Sequence, residues 1–164
     1  MILRRVLGIK CILFFMLFAG CSVAQPTCEM ENDALRAMTP SQLSFKRVDG
    51  SVFKIEVRTA DNNYTRSEGF QRVCKEAIAA KPILFLFDRE LMPRFHMNNV
   101  VASIDIAFIK KNGEIESIQA MAPYTLVSRE RPLYGPSEPI VAALEAHPGF
   151  YTKHNLAGAH ISWK

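Results

Sequence analysis

The sequence predicts a mainly β fold: one compact barrel-like or sandwich-like domain with one or two short helices. Three observations carry this. Apolar and charged residues alternate from Phe53 to Arg58, an unbroken apolar run spans Ile83–Phe87, and two short apolar segments flank Asn112-Gly113. Several short strands separated by turn signals belong to that class of architecture.

The N-terminus comes first in chain order and has a separate purpose. Arg4, Arg5 and Lys10 precede Cys11–Ala19, an unbroken apolar run followed by small residues. That run is shorter than the roughly 20 apolar residues a membrane-spanning helix needs. A basic start, a short apolar core and small residues make a secretory signal peptide, read as residues 1–24. Ser22-Val23-Ala24 supplies the small residues that a signal peptidase reads, and cleavage there leaves Gln25 first. Leu17-Phe18-Ala19-Gly20-Cys21 also resembles a lipobox, with Phe18 where Leu is usual, so the alternative is a lipid-anchored chain beginning at Cys21. The expected location is the periplasm, or, under the alternative, the outer face of a membrane. No transmembrane span is expected in the mature chain.

Export changes the charge argument. The whole chain has 20 Lys+Arg against 16 Asp+Glu. The signal holds three basic and no acidic residues, so the mature chain has 17 against 16, a net of +1. The basic character therefore belongs mostly to the export signal. With no dense Lys/Arg run, nucleic-acid binding has no footprint here. Cysteine use agrees with an oxidising compartment. Cys11 leaves with the signal, as does Cys21 if the cut follows Ala24, and Cys28 and Cys74 remain as an even pair. A disulfide between them would close a loop of about 45 residues, worth about 3–4 kcal/mol in the chain-entropy treatment. Two unlinked thiols are the other reading.

Residues 25–42 are polar, with Pro26 and Pro40, and read as a tether before a domain spanning 43–164. Leu43–Thr59 is a hairpin turned at Asp49-Gly50. A two-residue loop would set Phe53 opposite Lys46. A three-residue loop, Val48-Asp49-Gly50 with Gly50 left-handed, pairs Phe45 with Phe53 and Leu43 with Ile55. One slip reverses every side chain, so the second register is preferred. Thr65-Arg66-Ser67-Glu68 fits a capping box opening a short helix. Ile83–Phe87 reads as a strand buried on both faces. Ile104–Ile109 and Ile115–Ala120 form a second hairpin, and 121–138, with three prolines, a long loop. Pro139–Ala146 is helical by propensity. A short helix is expected at Phe150–His154 and a last strand at His160–Trp163.

These segments, in order, resemble the domain of unknown function 192 family. Arg66-Ser67-Glu68-Gly69-Phe70 is similar to its arginine, two residues and Gly-Leu-Met. Pro82-Ile83-Leu84-Phe85 resembles its Gly-Met-Leu-Phe strand, and Phe95-His96-Met97-Asn98-Asn99-Val100 its Phe-Trp-Met-Lys-Asn-Thr signature. Ile104-Asp105-Ile106 is similar to its Leu-Asp-Ile strand. Leu144-Glu145, Pro148-Gly149 and Gly158-Ala159 follow its C-terminal pattern. The resemblance covers about Phe53–Trp163. It implies a compact, barrel-like domain, often exported, with no established activity, and it implies that Ile140–Ala146 is a strand despite its helical propensity. His96, Asn98 and Val100 depart from the family's Trp, Lys and Thr.

Candidate chemistry falls on the charged and polar residues of these blocks: Arg66, His96, Asn99, Asp105 and Glu145. An imidazole at His96 could bind or relay protons; a packed, hydrogen-bonded strand histidine is the plainer reading. Asn98 and Asn99 could read a ligand or cap a turn. Asp105 in an apolar strand calls for a partner. An internal Arg66–Asp105 or Arg66–Glu145 pair would supply one. The sharper reading joins all five residues in one small polar cleft. No metal is expected, because His147, His154 and His160 are widely spaced and no two-His motif occurs. No catalytic residue or cofactor motif stands out, and no nucleophile elbow is present. The function expected is a non-catalytic exported module binding a small polar ligand or an envelope component. A protein–protein assembly factor using the 121–139 loop and an enzyme of unknown class are the alternatives.

Overall fold

A computed structural model describes residues 28–124 and 128–163. Helix α1 (Asp33–Ala37) leads into β1 (Thr39–Lys46) and β2 (Val52–Ala60). Helices α2 (Asn63–Glu68) and α3 (Lys75–Ala80) precede β3 (Ile83–Leu91), β4 (Ile104–Ile109), β5 (Ile115–Met121) and β6 (Ile140–Ala146). Helix α4 (Phe150–Lys153) and β7 (His160–Trp163) complete the order. The strands form one sheet in the order β5-β4-β6-β3-β2-β1-β7. The fold is mainly β, as expected, with four short helices among the described residues where one or two were expected. No helix among the described residues is long and apolar enough to cross a membrane.

The sheet is not a closed barrel. Among the described residues its two ends meet at a Glu114–His160 bridge, where Ile161 N–H donates to Gly113 O at 2.8 Å. A Cβ on Gly113 would stand 2.5 Å from the Ile161 carbonyl oxygen, and its φ is +89°, so glycine is required by both space and backbone.

Both faces of the central strands are buried, and successive residues serve opposite cores. Leu43, Phe45, Val57, Leu84, Ala107, Leu144 and Ile161 pack with Phe150 and Tyr151 of α4. Phe85, Ile106, Phe108 and Ala143 pack beneath Leu35 of α1, Ile78 of α3, and Phe70, Met97 and Val100. This doubly covered sheet is the sandwich-like arrangement that the sequence suggested.

The first hairpin has the preferred register, with Phe45 opposite Phe53 and Leu43 opposite Ile55. Arg47 N–H donates to Ser51 O at 2.9 Å, leaving Val48-Asp49-Gly50 as the loop, with Gly50 at φ +85°. The β4–β5 turn repeats the device: Lys110 N–H donates to Glu114 O at 2.9 Å and Gly113 takes positive φ.

Two expectations are corrected and one is met. Residues 28–42 are not a tether: Ala34, Leu35 and Met38 are buried and β1 begins at Thr39. The Cys28–Cys74 disulfide ties this segment down, so the compact unit extends N-terminal of residue 43. The capping box sits three residues earlier, with Asn62 accepting from Thr65 N–H and Thr65 Oγ1 accepting in return from Asn62 N–H. The strand implied by the family resemblance at 140–146 is present, and the local helical propensity is overridden because β6 lies between β3 and β4 with both faces buried. The signal peptide and the Cys21 alternative lie outside the described residues.

Candidate functional site

On the face covered by α1–α3, the sheet is not fully covered. An open cleft of about 350 Å³ lies between α2, β3 and the segment after β3, with Glu145 of β6 at its floor. Phe70, Phe85, Phe87, Phe95 and Val100 give it apolar walls, and Arg66, Arg94 and His96 line it as well.

Local structure places each group. Asn62 caps α2, and Gly69 ends it at φ +48°, ψ −128°. With ψ there the backbone is outside the left-handed basin open to residues bearing a Cβ. The turn lays the chain against the floor, so that a Cβ on Gly69 would stand 3.4 Å from Phe85 Cζ and 3.8 Å from Glu145 Oε2. Across the cleft, Phe95 exchanges backbone hydrogen bonds of 2.8 and 2.9 Å with Tyr134. Its ring meets Phe85 edge to face at 5.3 Å. Those contacts hold the next residue, His96, at the cleft.

Glu145 lies in the centre of the sheet, opposite Ile83 on one side and Ile106 on the other. It is 5% exposed, and its carboxyl makes no hydrogen bond or ion pair among the described residues. Burial pushes its pKa up to about 8. A carboxyl so placed costs several kcal/mol to ionise unless a counter-charge arrives. His96 Nδ1 is also buried and without a hydrogen-bond partner among the described residues. Arg66 is committed elsewhere. It donates to Leu86 O and to Asn63 Oδ1, each at 2.9 Å, with its guanidinium 5.7 Å from the Phe87 ring centroid.

Of the five residues expected to converge, Arg66, His96 and Glu145 do. Asn99 and Asp105 do not. Asn99, at φ +56°, donates from its side chain to Gln71 Oε1 at 2.9 Å and accepts Arg72 N–H on its backbone carbonyl. Asp105 Oδ2 accepts the N–H of Gly149, which caps α4. Asn99 thus bonds the Gln71 side chain and Asp105 the α4 backbone, so both side chains serve the fold. Neither expected internal pair forms, since Arg66 meets neither Asp105 nor Glu145. Reading the sequence also missed the phenylalanines and Arg94. Phe70, Phe85 and Phe95 stand inside the family-like blocks, and that proximity was the available signal. No group of three His, Cys, Asp or Glu able to hold a metal ion occurs among the described residues.

Residues 45–163 match the domain of unknown function 192 family, described as an uncharacterised ACR. The chain belongs to this family. The cleft residues Arg66, Gly69, Phe85, His96 and Glu145 all fall within the matched span. No curated protein matches the chain. Two crystal structures share the fold. One, from Sinorhizobium meliloti 1021, is of a proposed transcription regulator: 18% identity, TM-score 0.67, covering 77% of this chain and 95% of that one. The other, a protein of unknown function from Novosphingobium aromaticivorans DSM 12444, has 20% identity and a TM-score of 0.64, covering 80% of this chain and 98% of its own. At these identities the likeness is one of fold.

Proposed function

We propose that the protein is an exported binding module whose α2–β3–β6 cleft holds a small polar ligand. The observation that carries this is the unpartnered, buried His96 Nδ1 together with the Glu145 carboxyl, which has no hydrogen bond or ion pair among the described residues, at one open cleft. Buried polar groups are ordinarily hydrogen-bonded, and exceptions call for a reason. A bound molecule supplies one. The signal-like N-terminus and the Cys28–Cys74 disulfide support export, because such bonds persist in oxidising compartments.

Native mass spectrometry of protein purified from its own cell envelope tests both parts. The mature chain is expected to begin at Gln25, in the soluble periplasmic fraction, and to carry a small-molecule adduct. Ser67 is exposed and lines the cleft, so Ser67→Trp blocks the mouth without disturbing the core and should abolish the adduct. An adduct retained by Ser67→Trp would place the ligand elsewhere. A diacylglyceryl group on Cys21 would replace the soluble form with a lipid-anchored one.

A further inference from the structure

We propose that the ligand is an organic cation, an alkylammonium or arylalkylammonium group seated against Glu145 between the phenyl rings of the cleft. This rests on the binding-cleft reading and adds the chemical class of the occupant.

Four arguments lead there. The first is charge. Glu145 is buried at the floor, and the nearby guanidinium of Arg66 is held by Leu86 O and Asn63 Oδ1. The protein thus leaves Glu145 without a counter-charge, which an entering ammonium provides. The second is hydrogen bonding. Once ionised, the Glu145 carboxylate only accepts, and a primary ammonium brings three N–H donors to it. The third is the walls. Phenyl faces attract cations and offer nothing to a carboxylate, and four phenylalanines line this cleft. The fourth is that one of these rings already carries a cation, the Arg66 guanidinium 5.7 Å from the centroid of Phe87.

Charged and titratable groups approach Glu145 from several elements. Arg66 and Glu68 stand on α2, Arg94 and His96 on the segment after β3, Asp105 on β4 and Tyr151 on α4. Strand β3 presents only apolar residues there, Ile83 and Phe85. Arg94 is exposed at the rim, where salt and water screen it. Glu68 is paired with Arg72 at 3.0 Å and adds little of either sign.

The pH dependence then has a definite sign. Free Glu145 is protonated below about pH 8, and the bound cation requires it ionised. Affinity therefore rises with pH up to about 8 and falls about fifty-fold from pH 8 to pH 6, following the ionised fraction. Calorimetric titration with n-butylammonium and tetramethylammonium tests this, with butyrate and 1-butanol as charge controls of similar shape. Tetramethylammonium has no titrating proton, so its pH profile belongs to the protein alone.

Both cations are expected to bind at least roughly ten-fold more tightly than either control at pH 8.5, a difference on the scale of one cation–π or paired-charge contact. Glu145→Gln is expected to remove both the preference and the pH slope, and Ser67→Trp to block all binding. Failure of both cations to bind at millimolar concentration overturns the proposal, as does a pH slope surviving in Glu145→Gln. Tighter binding of butyrate or 1-butanol, blocked by Ser67→Trp, overturns the cation assignment and leaves the binding-cleft reading standing. Cation binding that survives Ser67→Trp would place the cation outside this cleft and overturn the proposal.

Discussion

Leu144 and Glu145 are neighbours on one central strand, and they face two differently finished halves of the molecule. Leu144 is fully buried against α4, in a core whose main polar intruder is satisfied: the Tyr151 hydroxyl donates to Leu144 O at 2.5 Å. Glu145, one residue on, is almost as deeply buried beneath α2 and has no partner among the described residues. The same sheet is thus optimised for packing on one side and left electrostatically unresolved on the other. Natural sequences break local rules chiefly at functional sites, and the rule is broken here at the open cleft. The α4 side reads as the scaffold and the α2 side as the working surface.

The largest expected effect sharpens this contrast through pH. The pKa of Glu145 is raised from 4.5 in the unfolded chain to about 8 in the folded protein. Stability from this group is fully present below pH 4.5. It declines as the unfolded chain ionises, and is lost as pH rises through about 8. The difference amounts to about 4–5 kcal/mol across that window, at about 1.4 kcal/mol per pH unit. Glu145→Gln cannot ionise, so it should match the wild type near pH 4.5 and exceed it by that order at pH 9. Denaturant unfolding of both proteins across the window measures it, and parallel pH profiles would show that Glu145 is solvated or paired.

On the other face the same kind of change should act oppositely. Leu144→Ala removes packed methyl groups from a fully buried site and should cost about 3 kcal/mol at every pH. Two adjacent residues, one change stabilising at high pH and one destabilising throughout, would establish the division directly. A Leu144→Ala cost under about 1 kcal/mol would mean that the α4 core is loosely packed and the contrast false.

The scaffold half was the more legible in the sequence, for a physical reason. Alternation along Phe53–Arg58 and a glycine able to take positive φ leave one hairpin register that buries Phe45 and Phe53 together, 5.9 Å apart. Strand β6 was not legible from propensity, because Ala142, Ala143, Leu144 and Glu145 are good helix formers placed extended by their neighbours β3 and β4. Helix α1 was read as a tether because Ala34, Leu35 and Met38 are too few to show a period. At the cleft, Arg66, His96 and Glu145 were found through the family-like blocks. Asn99 and Asp105 were grouped with them because a polar side chain bonded within the fold looks, in sequence, like one that serves a ligand. The phenylalanines were missed because those lining a cleft and those filling a core are the same residue in the same kind of strand.

The smallest effect concerns two glycines that differ as the two faces do. Gly50, at φ +85°, sits at the tip of the first hairpin, and a Cβ built there meets nothing within 4 Å. Gly50→Ala therefore reports backbone conformation alone. It should cost about 1 kcal/mol, the usual penalty for placing a Cβ at a left-handed position. Gly69 also has positive φ, but its ψ of −128° admits no comfortable L-residue, and its Cβ would come into contact with Phe85 at 3.4 Å, near Glu145. Gly69→Ala should cost about 2 kcal/mol, within the range for strained backbone, and should weaken binding in the cleft as well. Chemical denaturation with a parallel titration separates the two outcomes. Gly50→Ala is expected to lower the midpoint slightly and leave binding untouched, because the hairpin tip is remote from the cleft-lining residues. If Gly50→Ala reduced binding as much as Gly69→Ala does, the loss would follow global stability rather than local geometry. The α2 turn could then no longer be assigned a part in shaping the site.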